Sequence, residues 1–460
     1  MQKNLVWKLV SIGVLSLFLL IAIGMISGMV SERKARRDEV IAEIASSSST
    51  AQQITGPILV VPYLKTVKEP QYDAQGAVSG YKARNVRGQL LFAPETFALD
   101  GTVSTELRFR GIYQARLYHA KNTLNGEFLV PVNFGIVDNR EDYRFDAPYL
   151  AVGISDVRGI ERNIAFDIDG KPHALLPGSK QEFLGSGVHV PLPELSVGET
   201  RSFRFHVELP LQGTERLDIV PVGKDSRVSL QSDWPHPSFV GAFLPSARTL
   251  DEHGFSAQWQ TSYFATNLGE LLDACARGKN ACQAVNEQRL GVSFIDPVDQ
   301  YAKAERSVKY GILFVMITFG GFFLFEVLKN LAVHPVQYGL VGLALALFFL
   351  LLVSLSEHLP FALAYAIGAA ACVLLIGYYV SHVLGSFWRG IGFSALLVSL
   401  YGMLYLLLVS EDYALLLGSS LLFGLLALTM LLTRKLDWYG VARRVEPAGR
   451  PESGTLPVTR

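Results

Sequence analysis

An apolar run from Leu5 to Val30 opens this chain, and a second, far longer apolar territory extends from Val308 to Leu432. The hydrocarbon core of a bilayer is about 30 Å thick and takes about 20 helical residues to cross. The first run has that length, with Lys3 and Lys8 before it and Ser31-Glu32-Arg33-Lys34 after it. Such a chain is an integral membrane protein that holds a large polar segment outside the lipid. The first run is too long for the apolar core of a cleaved signal peptide, and no Ala-x-Ala-like site follows it. It reads as an uncleaved signal anchor.

Six spans are expected, near Leu5–Val30, Val308–Leu328, Val336–Ser356, Phe361–Leu384, Phe387–Val409 and Tyr413–Leu432. The last five are joined by short loops, which makes neighbours antiparallel. Small residues recur in them, including Gly320-Gly321, Gly339, Gly342, Gly368, Ala369-Ala370-Ala371, Gly418 and Gly424. Small residues let membrane helices approach closely. Alternate short loops carry Lys329, Arg389, and then Arg434, Lys435, Arg443 and Arg444, whereas the opposite loops carry Glu357, His358, Glu411 and Asp412. The bias of Lys and Arg toward the cytoplasmic side then puts both termini inside and the polar middle outside. Arg33, Lys34, Arg36, Arg37, Lys303, Arg306 and Lys309 oppose that assignment, but charges flanking a long translocated domain weigh less.

The polar middle reads as β-rich. Phe203, Phe205, Val207 and Leu209 alternate with polar residues, as do Leu107 with Phe109 and Phe255 with Trp259. A period of two means one buried and one wet face. Asp100-Gly101, Asn125-Gly126, Asp169-Gly170, Pro177-Gly178 and Val222-Gly223 read as turns. The expected fold is a membrane α-helical bundle of six transmembrane helices plus a large antiparallel, sandwich-like periplasmic domain. The expected domains are an anchor helix over 1–30, a periplasmic domain over 31–306, a five-helix bundle over 307–435 and a disordered cytoplasmic tail over 436–460. Within the second, a juxtamembrane helix over 31–50 ends at Gly56-Pro57, strands fill 56–267, and 267–287 is helical.

Composition narrows the function classes. The 460 residues carry 41 basic and 41 acidic side chains, so nothing favours nucleic acid as a partner. Among three cysteines, Cys275 and Cys282 lie close enough to form a disulfide in an oxidising compartment, or to remain two loop thiols. Too few Cys and His cluster for a metal cage, and no motif calls for a cofactor. There is no Gly-x-Ser-x-Gly, His-Glu-x-x-His, Walker-type or dinucleotide-binding pattern. Ser31-x-x-Lys34 lacks the companion motifs of penicillin-interacting enzymes. Asp167-x-Asp169-Gly170 lacks the rest of a calcium loop and reads as a hairpin turn.

Two sets of residues remain as candidates. In Ser232–Phe239, two prolines stiffen a loop in which Asp233, Trp234, His236 and Phe239 could hold a partner, make a polar site or simply plug the core. In or beside the spans lie Glu326, Glu357, His358 and Asp412. A charge deep in lipid is costly and marks a functional candidate, while one at a span end reaches headgroups and water. By depth only Glu326 qualifies, and it could equally pair with Lys329.

Several ordered stretches resemble the CreD family of Gram-negative inner-membrane proteins, across about Gly56 to Tyr439. They include Gly56-Pro57-Ile58, Arg110-Gly111-Ile112-Tyr113, Ser155-Asp156-Val157-Arg158-Gly159 and the Ser232–Pro245 segment. In the membrane part they include Asp296–Tyr301, Lys309-Tyr310, His334-Pro335-Val336-Gln337-Tyr338, Leu355-Ser356-Glu357-His358, Asp412–Leu416 and Thr433–Tyr439. The resemblance implies an inner-membrane protein with a periplasmic domain, associated with envelope integrity, a two-component regulatory system, and altered sensitivity to colicins and β-lactams. It supplies no catalytic residues. The expected role is therefore non-enzymatic, with the lipid bilayer and envelope proteins or peptidoglycan as partners. The alternatives are a small-molecule or lipid transporter using Glu326 and the glycine-rich bundle, and a periplasmic hydrolase using His236 and Asp233.

Overall fold

The computed structural model describes residues 2–74, 76–162, 164–195, 198–278, 282–294, 300–329, 333–383, 385–410 and 414–434. The chain divides into two compact units, one of residues 1–37 with 298–460 and one of residues 38–297. The expected tail over 436–460 lies outside the described residues.

Helix α1 (Gln2–Ser47) is followed by β1 (Gln52–Tyr72), β2 (Val78–Phe92), β3 (Thr96–Arg110) and β4 (Tyr113–Val130). Shorter strands come next: β5 (Tyr143–Phe145), β6 (Tyr149–Ile154), β7 (Ala165–Ile168), β8 (Lys171–Pro172), β9 (Leu176–Pro177) and β10 (Gly187–Pro191). Then come β11 (Arg201–Thr214), β12 (Arg216–Val220), β13 (Asp225–Ser232), β14 (Ser238–Gly241), β15 (Ala247–Asp251) and β16 (Gly254–Ser262). Three short helices, α2 (Tyr263–Thr266), α3 (Leu268–Arg277) and α4 (Cys282–Glu287), precede β17 (Leu290–Ser293). The chain continues through α5 (Gln300–Lys329), α6 (Pro335–Ser356), α7 (Phe361–Val383), α8 (Phe387–Val409) and α9 (Ala414–Thr433).

One sheet has the order β14-β17-β12-β1-β6-β10-β9, with β2 and β5 also on β1; the other runs β15-β16-β13-β3-β4-β11-β7-β8. A single buried cluster draws on both, with Ile54, Leu91, Leu217 and Phe294 from or beside the first and Phe97, Phe128, Phe205 and Trp259 from the second. In β11, Phe203, Phe205, Val207 and Leu209 point inward and Arg204 outward, as their alternation requires.

The sheets are mixed rather than antiparallel. β1 runs parallel to β12, with Gln52 opposite Leu217, and β3 runs parallel to β13, with Thr96 opposite Asp225. Parallel neighbours need long crossovers, and here the intervening chain builds other strands. Alternation reports which face is wet, not which strand lies alongside.

Local signals also took on other uses. Gly56-Pro57 does not end the helix, which stops at Ser47. It lies inside β1, where the register to β6 shifts between Thr55 and Ile58. Gly56 has φ +110°, and a Cβ there would lie 2.7 Å from the Ala151 carbonyl oxygen. Asp100-Gly101 and Asn125-Gly126 are mid-strand, not turns. A Cβ on Gly126 would come within 2.6 Å of the Phe205 ring, so close packing explains this glycine. Leu107 and Phe109 are exposed, because β13 pairs with β3 only as far as Val103.

In the helical unit, Leu19, Ile23, Ile26 and Val30 of α1 share a buried cluster with Phe319, Phe322, Leu345, Phe348, Leu397 and Tyr401. Gly342 faces the Leu19 and Phe319 side chains, and Gly368 lies against Phe348. Gly320, Gly418 and Gly424 meet nothing within 4 Å, so only some of the small residues serve helix packing. Among the described residues, α1, α5, α6, α7 and α8 are long and apolar enough to cross a bilayer. The apolar stretch described in α9, Leu416–Leu431, is shorter.

Candidate functional site

Two of the candidate residues of the helical unit, Glu326 and Glu357, each sit in a polar node. At the first, the Glu326 side chain, 6% exposed, is held between α5 and the start of α6. Its Oε2 accepts a hydrogen bond from the Tyr338 hydroxyl at 2.8 Å, and Oε1 accepts from the Val333 N–H at 3.1 Å. The Tyr338 ring is enclosed edge-on by Phe319 and Phe322. His334 and Gln337 form a capping box on α6, with Pro335 at its first turn. The stretch His334–Tyr338 is thus a helix start whose last residue reaches back to Glu326. The Lys329 side chain lies outside the described residues.

Glu357 is the C-cap residue of α6 and belongs to the second node. Its Oε1 accepts from the Tyr301 hydroxyl at 3.2 Å and lies 3.6 Å from Arg33 Nε. The Arg37 guanidinium sits over the Tyr301 ring, 5.5 Å from its centroid. Lys34 pairs with Glu305 at 3.2 Å. The Lys34 of the Ser-x-x-Lys spacing therefore serves an ion pair between α1 and α5. The basic residues that opposed the topology reading are at least partly paired within their own unit. His358 is exposed and turned back to the Ser354 carbonyl, and Asp412 lies outside the described residues.

In the β unit, Asp233 and His236 do not meet. The Asp233 carboxylate accepts from the Thr105 N–H at 2.9 Å, beyond the end of the parallel β3–β13 pairing. Trp234 is 7% exposed; its Nε1 donates to the His236 carbonyl at 2.9 Å, and the Arg116 guanidinium lies 3.7 Å from its ring centroid. Phe239 packs edge-on against Phe255 and Trp259. The aromatics of this segment thus plug the core. Cys275 and Cys282 are joined as a disulfide with Cα atoms 4.5 Å apart, and Cys372 is free and buried.

Asp167, Asp169 and Gly170 line a cleft of about 680 Å³ on the outer face of the second sheet, with Glu127, His206 and Asp225. Asp169 and Gly170 form the β7–β8 turn, with φ of 49° and 74°. No group of three His, Cys, Asp or Glu side chains suited to a metal occurs among the described residues.

Sequence reasoning missed a clamp at the end of α1, built by Ser155–Gly159. Arg158 donates from Nε and Nη2 to the Asp156 carboxylate at 2.9 and 2.6 Å, and from Nη1 to the Ser46 carbonyl at 2.5 Å. Asp156 also accepts from the Thr50 N–H at 3.1 Å. These bonds, the Arg158 guanidinium first, hold the Asp156 carboxyl well below the usual carboxylate range. A cation at a helix C-terminus is also favoured by the orphan carbonyls there. On the neighbouring hairpin, His119 contacts Glu161 through Nδ1 and Glu106 through Nε2. Partial burial lowers the His119 pKa, but the bonds to Glu161 and Glu106 outweigh it and raise it.

Residues 4–439 match the family described as "Inner membrane protein CreD". A protein of that description from Escherichia coli (strain K12) is 37% identical over 443 residues, covering 95% of each chain. Among solved structures, a variant of an M1 zinc metallopeptidase from Deinococcus radiodurans aligns with 36% of this chain and 38% of its own, at 11% identity and a TM-score of 0.19. Leukotriene A4 hydrolase from Saccharomyces cerevisiae aligns with 35% of this chain and 26% of its own, at 12% identity and a TM-score of 0.18. Alignments this loose carry no functional argument.

Proposed function

The chain belongs to the CreD family of inner-membrane proteins, and from that premise we propose that it maintains the cell envelope without enzymatic chemistry. The β unit contacts envelope proteins or peptidoglycan from the periplasmic side. The six helical runs all cross the membrane, and both termini are cytoplasmic. The role is linked to a two-component regulatory response and to colicin and β-lactam sensitivity. The observation that carries this reading is the double tether: residues 38–297 are inserted between two parts of the membrane-embedded unit. A domain anchored at both ends suits work against fixed envelope structures. The pairing of Arg33 with Glu357 and Lys34 with Glu305 supports the orientation, since it gives outward-side basic residues local counter-charges. Deleting the gene should raise permeability and detergent sensitivity under envelope stress. A deletion strain with normal permeability and shape under that stress would refute the role.

A small-molecule or lipid transporter is the second reading, favoured by one observation: Glu326 is a buried carboxylate in a spanning helix. The bonds it accepts from a helix start and from Tyr338 support a joint between α5 and α6 instead. Glu326→Gln separates the two: loss of function at normal abundance would favour transport, whereas loss that tracks abundance favours the joint.

A further inference from the structure

The cleft on the outer face of the second sheet follows from the register of its strands. Arg227 of β13 lies opposite Ala98 of β3, Ala98 opposite Asn125 of β4, Asn125 opposite His206 of β11, and His206 opposite Asp167 of β7. A second row runs from Asp225 through Thr96 and Glu127 to Arg204, whose N–H donates to the Asp169 carboxylate at 2.8 Å. Residues directly opposite each other share a face. Phe97, Phe205 and Ile168, in the row between, turn into the core. Thr96 and Ala98 form a short floor between the longer side chains of β13 on one side and those of β4, β11 and β7 on the other. That difference in length hollows the sheet surface into a trough of about 680 Å³. Some of its polar groups satisfy one another: Glu127 lies 3.6 Å from Arg204, and His206 Nδ1 donates to Asn125 Oδ1 at 2.7 Å. The side chains of Asp225 and Arg227 on one wall, and of Asp167 on the other, make no hydrogen bond or ion pair among the described residues. Close charges nearby do pair, as Lys224 does with Glu95.

We propose that this trough binds a short peptide that carries a free ammonium and a free carboxylate. The carboxylate pairs with the Arg227 guanidinium, whose fork of donors suits it, and the ammonium pairs with Asp167. Thr96, Asn125 and Asp225 offer donors and acceptors to the peptide groups between. A ligand of one sign leaves one wall unmatched, and no group of three side chains suited to a metal occurs among the described residues. Four strand spacings separate β13 from β7, about 19 Å between backbones. After Arg227 and Asp167 reach inward, about three extended residues fit the span. The volume is that of a small-ligand cleft. Stem peptides of peptidoglycan and free oligopeptides share this chemistry; the first source, though not the site itself, rests on the envelope role proposed above.

The test titrates the full chain in detergent with trialanine, N-acetyl-trialanine, trialanine amide and the free stem tripeptide of peptidoglycan, read by calorimetry. Trialanine should bind saturably, and masking either end should raise its Kd at least about tenfold, as for loss of a charge-assisted hydrogen bond. Arg227→Gln should weaken trialanine but not its amide, and Asp167→Asn should weaken trialanine but not the N-acetyl form. Neither side chain lies in the core, so both variants keep the fold. Tighter binding of the stem tripeptide than of trialanine supports the site with peptidoglycan as its source, and equal binding supports it with free oligopeptides as the source. Absence of saturable binding by trialanine and the stem tripeptide would overturn the proposal. So would equal affinity for the masked peptides, or variants that weaken every probe alike. If binding fails while the deletion strain still shows its permeability defect, the site is wrong and the envelope role stands.

Discussion

Asp156 shows how much one side chain can organise. Its carboxylate is 9% exposed and bonds Arg158 and the Thr50 N–H while Arg158 reaches the end of α1. Asp156→Asn should cost about 1–3 kcal/mol, as for a charge-assisted hydrogen-bond network with one charge removed. Denaturant unfolding of the full chain in detergent would measure it. The sign of the pH dependence follows from the depressed pKa. The contribution is present above the unfolded value of 3.8 and is lost as pH falls through the lower folded value. Asp156 therefore adds no pH dependence near neutrality. Gly159→Ala should cost about 1–3 kcal/mol through overpacking, since its Cβ would sit 2.2 Å from the Gln212 carbonyl oxygen. His119 behaves oppositely to Asp156. Its raised pKa gives stability that is complete below 6.5 and lost as pH rises through the folded value above it. Protection factors for amide exchange in β3–β4, corrected for the intrinsic rise of exchange with pH, should fall across that window in the parent, and His119→Gln should abolish the fall. At this scale the sequence was legible where one strand told its own story, as in Phe203 to Leu209. It was not legible for the clamp, because Ser46 and Arg158 lie 112 residues apart.

Elements were easier to foresee than their neighbours. The helical segment after Asn267 and the apolar helices announce themselves by period and length. Parallel pairing does not, because β1 and β12 meet only through a long excursion of chain. Glycine was the most misleading letter, since Asn125-Gly126 spells a turn but serves a ring packed over a strand. Glu326 and Glu357 could be singled out by type and position. Their partners Tyr338 and Tyr301 could not, although the capping box in His334–Gln337 is a local signal that a helix begins just there. Tyr338→Phe should leave a buried Glu326 oxygen without its hydroxyl donor and cost about 1–3 kcal/mol. A thermal unfolding scan of the reconstituted chain would show the α5–α6 joint weakened. Unchanged stability would mean that another donor replaces the hydroxyl.

At the scale of the whole molecule, hydropathy alone separates a lipid-soluble unit from a water-soluble one, and the compact units fall along that divide. The loop charges behind the proposed orientation are legible in the sequence too, and two of the residues that oppose it, Arg33 and Lys34, form ion pairs within their own unit. The side of the membrane on which the β unit lies is the premise of its envelope role. Val137, 90% exposed on that unit, offers a direct reporter. A Val137→Cys variant in the Cys372→Ala background should react with a membrane-impermeant thiol reagent in cells whose inner membrane is intact. Labelling only after the inner membrane is permeabilised would put the β unit in the cytoplasm and contradict the account.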